Sequence, residues 1–323
     1  MTSRRHFYAN RTLIVSALAL GWSHRAHADN AVDEVRVTGN RSEPRSSVDS
    51  RMTRSEIRTM PGALGDPFRA IDALPTITPL LSGFPYYIVR GASPATVGYY
   101  VDEVRVPYLF HFGLGPGVIQ PALIDDVTLH PSAYPGRYGR FAGAIVAGAT
   151  RAPATELAGE GLVRIFDAGA YVEAPVLANK GSIGVGGRYA YPGFLLSLLS
   201  PDTNIDYRDY NVRASYALSD RWRATAFAFG SFDYAADKST DPENVIFASE
   251  FHRLDLRFDR RGAHGGTTRI AATLGLDRTR LGPGFFARSF PLGIRARHGW
   301  AASPQVAVDV LQLSAHLLRV EPL

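Results

Sequence analysis

Asp125 and Asp126 sit side by side in the run Ile124–Leu129, and paired carboxylates are the raw material of general acid–base chemistry. The run alternates as a strand does, however, and successive strand side chains point to opposite faces. The two acids therefore cannot act on one proton. The nine histidines are scattered without metal-ligand spacing. With no cysteine, a disulfide framework, a thiol nucleophile and a thiolate zinc site are excluded. Gly184-Val185-Gly186-Gly187 is strand glycine and not a phosphate cradle, and no Gly-x-Ser-x-Gly, Walker or His-Glu-x-x-His motif is present. The sequence predicts no enzyme activity, no metal and no cofactor. What remains is binding. Between Pro107 and Pro121 runs an aromatic, Gly-rich loop with Tyr108, Phe110, His111 and Phe112, in which a single histidine is more often packed than liganding.

The elements around these residues are β-structure. Ile124–Leu129 ends at Pro131, turns through Pro135-Gly136 and Gly139, and returns as Ala142–Ala149, where Gly143 and Gly148 permit close backbone approach. Tyr86–Arg90 and Tyr99–Val106 also read as strands. Thr53-Arg54-Ser55-Glu56 is a capping box for a helix of one or two turns that stops at Pro61-Gly62. Asp66 then caps a second helix, with Pro67 at its first position and Phe68, Ile71 and Leu74 on one face.

After about Ala154 the pattern changes. Tyr210, Val212, Ala214, Tyr216 and Leu218 alternate with Asp209, Asn211, Arg213 and Ser215. Leu254, Leu256 and Phe258 alternate with Arg253, Asp255, Arg257 and Asp259; Ile270, Ala272, Leu274 and Leu276 alternate with Arg269, Thr273 and Asp277. Ile183, Val185 and Tyr189 alternate with Ser182 and Arg188. Such repeats, charged on one face and with aromatics near strand ends, are the signature of a transmembrane barrel with a polar lumen. No apolar stretch is long enough for a membrane helix, so any crossing is by strands. The formal charge of +5 does not imply nucleic acid, because the arginines are interleaved with Asp and Glu.

The first residues form an export signal: Arg4, Arg5 and Arg11, an apolar core from Leu13 to Gly21, and Ala26-His27-Ala28 before Asp29. Ser3-Arg4-Arg5-His6-Phe7 also resembles a twin-arginine motif; a barrel precursor that stays unfolded until insertion favours the general secretory route. Ala31–Gly39 then alternates as a strand ahead of a polar linker, Asn40–Arg51, a form suited to adding a strand to a partner's sheet edge.

Val89-Arg90-Gly91, Tyr100-Val101-Asp102 and the stretch Ile124–Thr150, with Gly136, Tyr138 and Gly139, resemble the plug domain of the TonB-dependent outer-membrane receptors. Asp206–Ser231 resembles, less specifically, the early barrel strands of that family. The resemblance implies an α+β plug domain followed by antiparallel transmembrane β-barrel strands, here a partial, all-β barrel of about eight to ten strands. It divides the chain into a signal peptide (1–28), a TonB box and linker (29–51), a plug (52–153) and a partial barrel (154–323). Val32, Asp33, Glu34, Val35, Arg36, Val37 and Thr38 resemble the TonB box, with Arg36 departing from its apolar pattern. The implied location is the outer membrane of a Gram-negative bacterium. The implied partners are TonB with its inner-membrane energising complex, outer-membrane lipid and an extracellular ligand such as a metal chelate, vitamin or glycan. By position in the family's plug, the loop carrying Tyr108, Phe110, His111 and Phe112 could face that ligand. Arg90 is expected at the rim or inside the lumen, where plug arginines of the family are held by acids on the barrel wall.

The chain departs from the family elsewhere as well. Leu74-Pro75-Thr76 stands where Leu-Pro-Gly is usual. Asp102-Glu103 replaces the hairpin's Asp-Gly, so a turn type without positive φ is expected. The residues after Pro153 are too few for the roughly 22 strands of plugged receptors, and Val320-Glu321-Pro322-Leu323 lacks a terminal aromatic. The chain is therefore expected to be the front half of a receptor, with the plug beside an open sheet. Two functions stay open: a TonB-energised importer, or a non-transporting surface protein or receptor remnant that uses the plug for interaction.

Overall fold

The computed structural model describes residues 49–63, 65–74, 76–81, 84–113, 115–139, 141–191, 202–240, 242–262, 266–303, 306–308 and 312–321. The export signal and the segment Val32–Thr38 lie outside the described residues.

Five strands make a first sheet: β1 (Ser50–Thr53), β4 (Gly98–Val101), β5 (Val104–Val106), β6 (Ile124–His130) and β7 (Ile145–Thr150), in the order β1-β6-β7-β4-β5. β4 runs parallel to β7 and the other pairs are antiparallel. A separate hairpin joins β2 (Ile77–Leu81) to β3 (Phe84–Val89). Helix α1 (Arg54–Thr59) begins where the capping box places it: the Thr53 amide donates to Glu56 Oε2 at 2.7 Å. The second helix is corrected to a short 3-10 turn, Arg69–Ala73, capped at Phe68. Asp66 serves the loop instead, accepting the Phe68 amide at 3.0 Å and the Gly117 amide at 2.6 Å. Phe68 and Ile71 still enter the core, with Val101, Leu123, Val127, Leu129 and Val146. A Cβ on Gly148 would lie 2.7 Å from the Phe68 ring, so only glycine lets β7 pass there.

The second sheet contains ten strands: β8 (Ala158–Val163), β9 (Asp167–Val176), β10 (Gly181–Ala190), β11 (Thr203–Ala217), β12 (Trp222–Asp237), β13 (Asn244–Arg261), β14 (Thr267–Leu281), β15 (Phe285–Ser303), β16 (Val306–Val308) and β17 (Gln312–Glu321). Each pairs antiparallel with its sequence neighbour from β8 to β16, and β17 pairs with β15. Among the described residues β8 pairs with β9 alone, so the sheet is open there.

Register makes the two faces continuous. One hydrogen-bonded row runs Val172, Val185, Val212, Ala228, Leu254, Leu274, Leu292; the row beside it runs Glu173, Gly184, Arg213, Phe227, Asp255, Thr273, Gly293. Val185, Val212, Leu254, Leu274 and Leu292 are exposed, while Glu173, Arg213, Phe227 and Asp255 are buried. A sheet folded for water would bury the first row and solvate the second. This sheet is inside out, as a lipid-facing wall must be. Leu254→Arg on the apolar row is therefore expected to cost about 2–4 kcal/mol of insertion stability. Reversible folding into lipid vesicles measures it, and a cost near zero would mean that this face meets water.

Candidate functional site

The polar face of the second sheet is covered by the first sheet and its loops; among the described residues three buried ionic clusters join them, besides the contact of Arg54 and Arg58 of α1 with Glu160 of β8. At the first, Asp102 and Glu103 turn the chain from β4 to β5 with φ of 49° and 69°. Positive φ at both central positions is a type I′ turn. The expectation of another turn type is thus corrected: the turn is kept without glycine because its side chains are held. Asp102 accepts the Thr150 amide at 2.9 Å, the Thr150 hydroxyl at 2.6 Å and Arg257 Nη2 at 2.6 Å. Glu103 accepts from Arg297 at 2.9 Å and lies 3.5 Å from Arg269 and 3.7 Å from Arg137. Three arginines from three adjacent strands, β13, β14 and β15, thus converge on two acids. Burial by itself would raise the Asp102 pKa, but Arg257, Arg269 and the Thr150 bonds outweigh it and hold the carboxyl well below the usual range.

The second cluster centres on Arg213 of β11. Its guanidinium bonds Glu173 of β9 at 2.7 Å, the Thr150 hydroxyl at 3.1 Å and the Arg151 carbonyl at 2.5 Å. Arg213 is among the largest fully buried side chains of the protein.

The third is built around His111. Its Nδ1 lies 2.6 Å from Asp233 of β12 and its Nε2 3.1 Å from Asp209 of β11, with the imidazole and the Asp209 side chain wholly buried. An ionised carboxylate only accepts hydrogen bonds. Carboxylates facing both ring nitrogens favour the charged imidazolium form of His111. Burial alone would lower its pKa; the two aspartates overcome that and raise it above the ordinary histidine value. Asp209 also accepts from Gln120 at 2.9 Å, and the Phe112 amide donates to Asp233 at 3.1 Å. Arg188 of β10 donates to the Gly117 carbonyl at 2.9 Å and lies 3.5 Å from Asp209.

The residues singled out by sequence fall around these clusters. The aromatic loop lies against the second sheet: Tyr108 donates to the Ser249 carbonyl at 3.4 Å and sits edge-on to Phe251, while Phe110 is buried under the Arg69 guanidinium. Phe112 approaches Tyr207 and Phe247. Tyr138 is buried beside Tyr100, which donates to the Tyr138 carbonyl at 3.1 Å; Gly136 and Gly139 bracket its 3-10 turn. Asp126 is buried against Arg51, and Asp125 is exposed on the opposite side of β6. Arg90 differs from expectation. It is exposed, adopts φ of 50° ahead of Gly91 at 81°, and donates to the Ser132 hydroxyl at 3.0 Å, not to an acid of the wall. At the β4–β5 turn the polarity is reversed, with acids on the first sheet and arginines on the second. Sequence alternation placed Asp209, Arg213, Arg257 and Arg269 on the polar face, but nothing in it named Glu103 as the acid that meets Arg269 and Arg297, or Asp233 as the second partner of His111.

No protein-family model and no curated protein matches the sequence. Solved structures do. The siderophore receptor PirA from Pseudomonas aeruginosa superposes with a TM-score of 0.57 at 16% identity, over 80% of this chain and 46% of that one. The alcaligin outer-membrane receptor FauA from Bordetella pertussis gives 0.57 at 16% identity, over 87% and 48%. The outer-membrane transporter YddB from Escherichia coli gives 0.54 at 12% identity, over 78% and 45%. The chain has the fold of a TonB-dependent receptor. It spans about half the length of the solved structures that it matches. In the terms of that fold the first sheet is the plug and the second is barrel wall, and the three clusters are the joint between them. The matched proteins are receptors and transporters.

Proposed function

We propose that this chain supplies the plug and the first barrel strands of an outer-membrane receptor that binds an extracellular metal chelate and imports it with energy transduced by TonB. The inside-out second sheet carries this reading: an exposed apolar face and a buried charged face clamped to a plug suit a wall with lipid outside and a plugged passage inside. The chelate class follows from the siderophore receptors among the solved structures of this fold. On this reading residues 1–28 direct export, 29–51 carry the TonB box and linker, 52–153 form the plug and 154–323 the barrel strands. The mature chain begins at Asp29 in the outer membrane.

The alternative, a surface protein or receptor remnant using the plug for interaction alone, gives a different result in one experiment. Cells expressing the receptor are offered a radiolabelled ferric chelate with and without a proton uncoupler. Accumulation that the uncoupler abolishes supports import; binding without accumulation under either condition overturns it. Val35→Pro or Val37→Pro is expected to abolish that accumulation while leaving chelate binding unchanged, because proline removes a ladder donor and blocks strand addition. Normal accumulation in either variant would put the coupling segment elsewhere.

A further inference from the structure

The inner face of the second sheet changes character toward the strand ends that carry the connections 191–202 and 238–243. The opposite ends are joined by the short turns 177–180 and 218–221. Short turns mark the periplasmic side of such a wall and longer connections its outer side. At the outer end one inner-face row crosses five strands, from Ile205 of β11 through Ala235, Phe247 and Leu281 to Phe285 of β15. Phe112 of the plug fixes its inward direction, with its ring 5.9 Å from that of Phe247. A lumen-facing row is expected to be polar. This one has no polar side chain, yet it is not sealed: Leu281 is 49% exposed and Phe285 41%.

The charges around this row are already engaged. The next inner-face row holds Tyr207, Asp233, Ser249, Thr279 and Ala287. Its acid, Asp233, is bonded to the buried His111 and to the Phe112 amide. Deeper still, Asp277 holds Arg253 at 2.6 Å. On the plug, Arg69 donates to the Gly115 carbonyl at 2.8 Å and covers Phe110. At the strand end Asp237 accepts the Ser239 amide at 2.8 Å. Arg278 and Arg280 alternate with Thr279 and Leu281, so both lie on the other face of β14.

We propose that this row and Phe112 form the contact surface for an uncharged chelate with an apolar exterior, a ferric trihydroxamate and not a polyanionic catecholate. The inference rests on the import reading and names the ligand class of that site. Apolar surface left open inside a cleft is what a ligand covers. In a neutral trihydroxamate the metal cancels the charge of its donor oxygens, so little is lost when its carbon surface leaves water. A polyanion would give up its hydration against carbon, with no cation in the row to replace it. Thr279, half-buried one row deeper, offers a hydroxyl to a ligand carbonyl.

The test dialyses the full chain, in detergent micelles, to equilibrium against two radiolabelled ferric complexes, neutral ferrichrome and trianionic ferric enterobactin. Ferrichrome is expected to bind at least about tenfold more tightly. Phe247→Ser/Leu281→Ser should weaken ferrichrome by about tenfold or more, because two apolar contacts are lost. Ile246→Ser, on the opposite face of β13, should leave its affinity unchanged. Leu281→Arg should move the preference toward the trianion. Unchanged far-ultraviolet circular dichroism admits each variant to the comparison, and the preference of the natural chain is decided without them. Equal or tighter binding of the catecholate overturns the proposal and leaves the receptor reading in place. So does a ferrichrome affinity indifferent to Phe247→Ser/Leu281→Ser, which would mean that the row is covered by protein. Binding of neither complex removes the receptor reading and the site with it.

Discussion

Asp102→Asn will loosen the plug from the wall by about 3–5 kcal/mol, the usual consequence of removing one partner of a buried ion pair. Asparagine, like aspartate, tolerates positive φ better than most side chains, so backbone strain is not what changes. What changes is Arg257, whose side chain is 7% exposed and whose other acids, Asp255 and Asp259, stand 3.9 Å away. A guanidinium so placed has little water and keeps only those two longer ion pairs. Urea denaturation of the detergent-solubilised chain, with limited proteolysis of the plug, measures the loss. An unchanged midpoint would show that the pair adds nothing to docking. The pH dependence has a definite sign. Because the Asp102 pKa is lowered in the folded chain, its contribution is present above the ordinary carboxylate value of about 4 and is lost as pH falls through the lowered one.

His111→Leu is expected to be comparably damaging, about 3–5 kcal/mol, for the opposite electrostatic reason. It leaves Asp209 and Asp233 buried with their shared cation removed and only Gln120, the Phe112 amide and the more distant Arg188 to answer them. The folded-state pKa of His111 is raised, so its stabilisation is complete below the unfolded value of about 6.5 and fades as pH rises through the folded one. Unfolding followed from acid to alkaline pH should show that fading in the natural chain and not in the variant. Adding Asp233→Asn to His111→Leu should recover part of the loss, since it deletes one of the stranded charges. No recovery would mean that packing, not charge, governs the joint.

These two joints also mark how far the sequence could be read. Strand alternation put Asp209, Arg213, Asp255 and Arg257 on one face and Val212, Leu254 and Leu256 on the other, and the register bears this out. The motifs around Val89–Gly91 and Ile124–Thr150 pointed to the fold that the solved structures share. Pairing was not legible, because Arg257 meets Asp102 across 155 residues and Arg297 meets Glu103 across 194. A local pattern gives the face of a residue but not its partner on another sheet. The Asp102-Glu103 turn was misread for the same reason: intrinsic propensity disfavours it, and distant arginines and Thr150 override that propensity. Arg90 was assigned an acidic partner through the family resemblance; it donates to Ser132 instead, and it is Arg54 and Arg58 of α1 that reach an acid of the wall, Glu160.

The meander of the second sheet has a kinetic side. From β8 to β16 every strand pairs with the one just made, so each hairpin closes over a short loop and the loop-closure entropy stays small at every step. The clamps on Asp102, Glu103 and His111 close over 98 to 194 residues. Contacts so distant along the chain form late. Loop-closure entropy therefore favours closing the wall strand by strand before β13, β14 and β15 bring Arg257, Arg269 and Arg297 onto the plug.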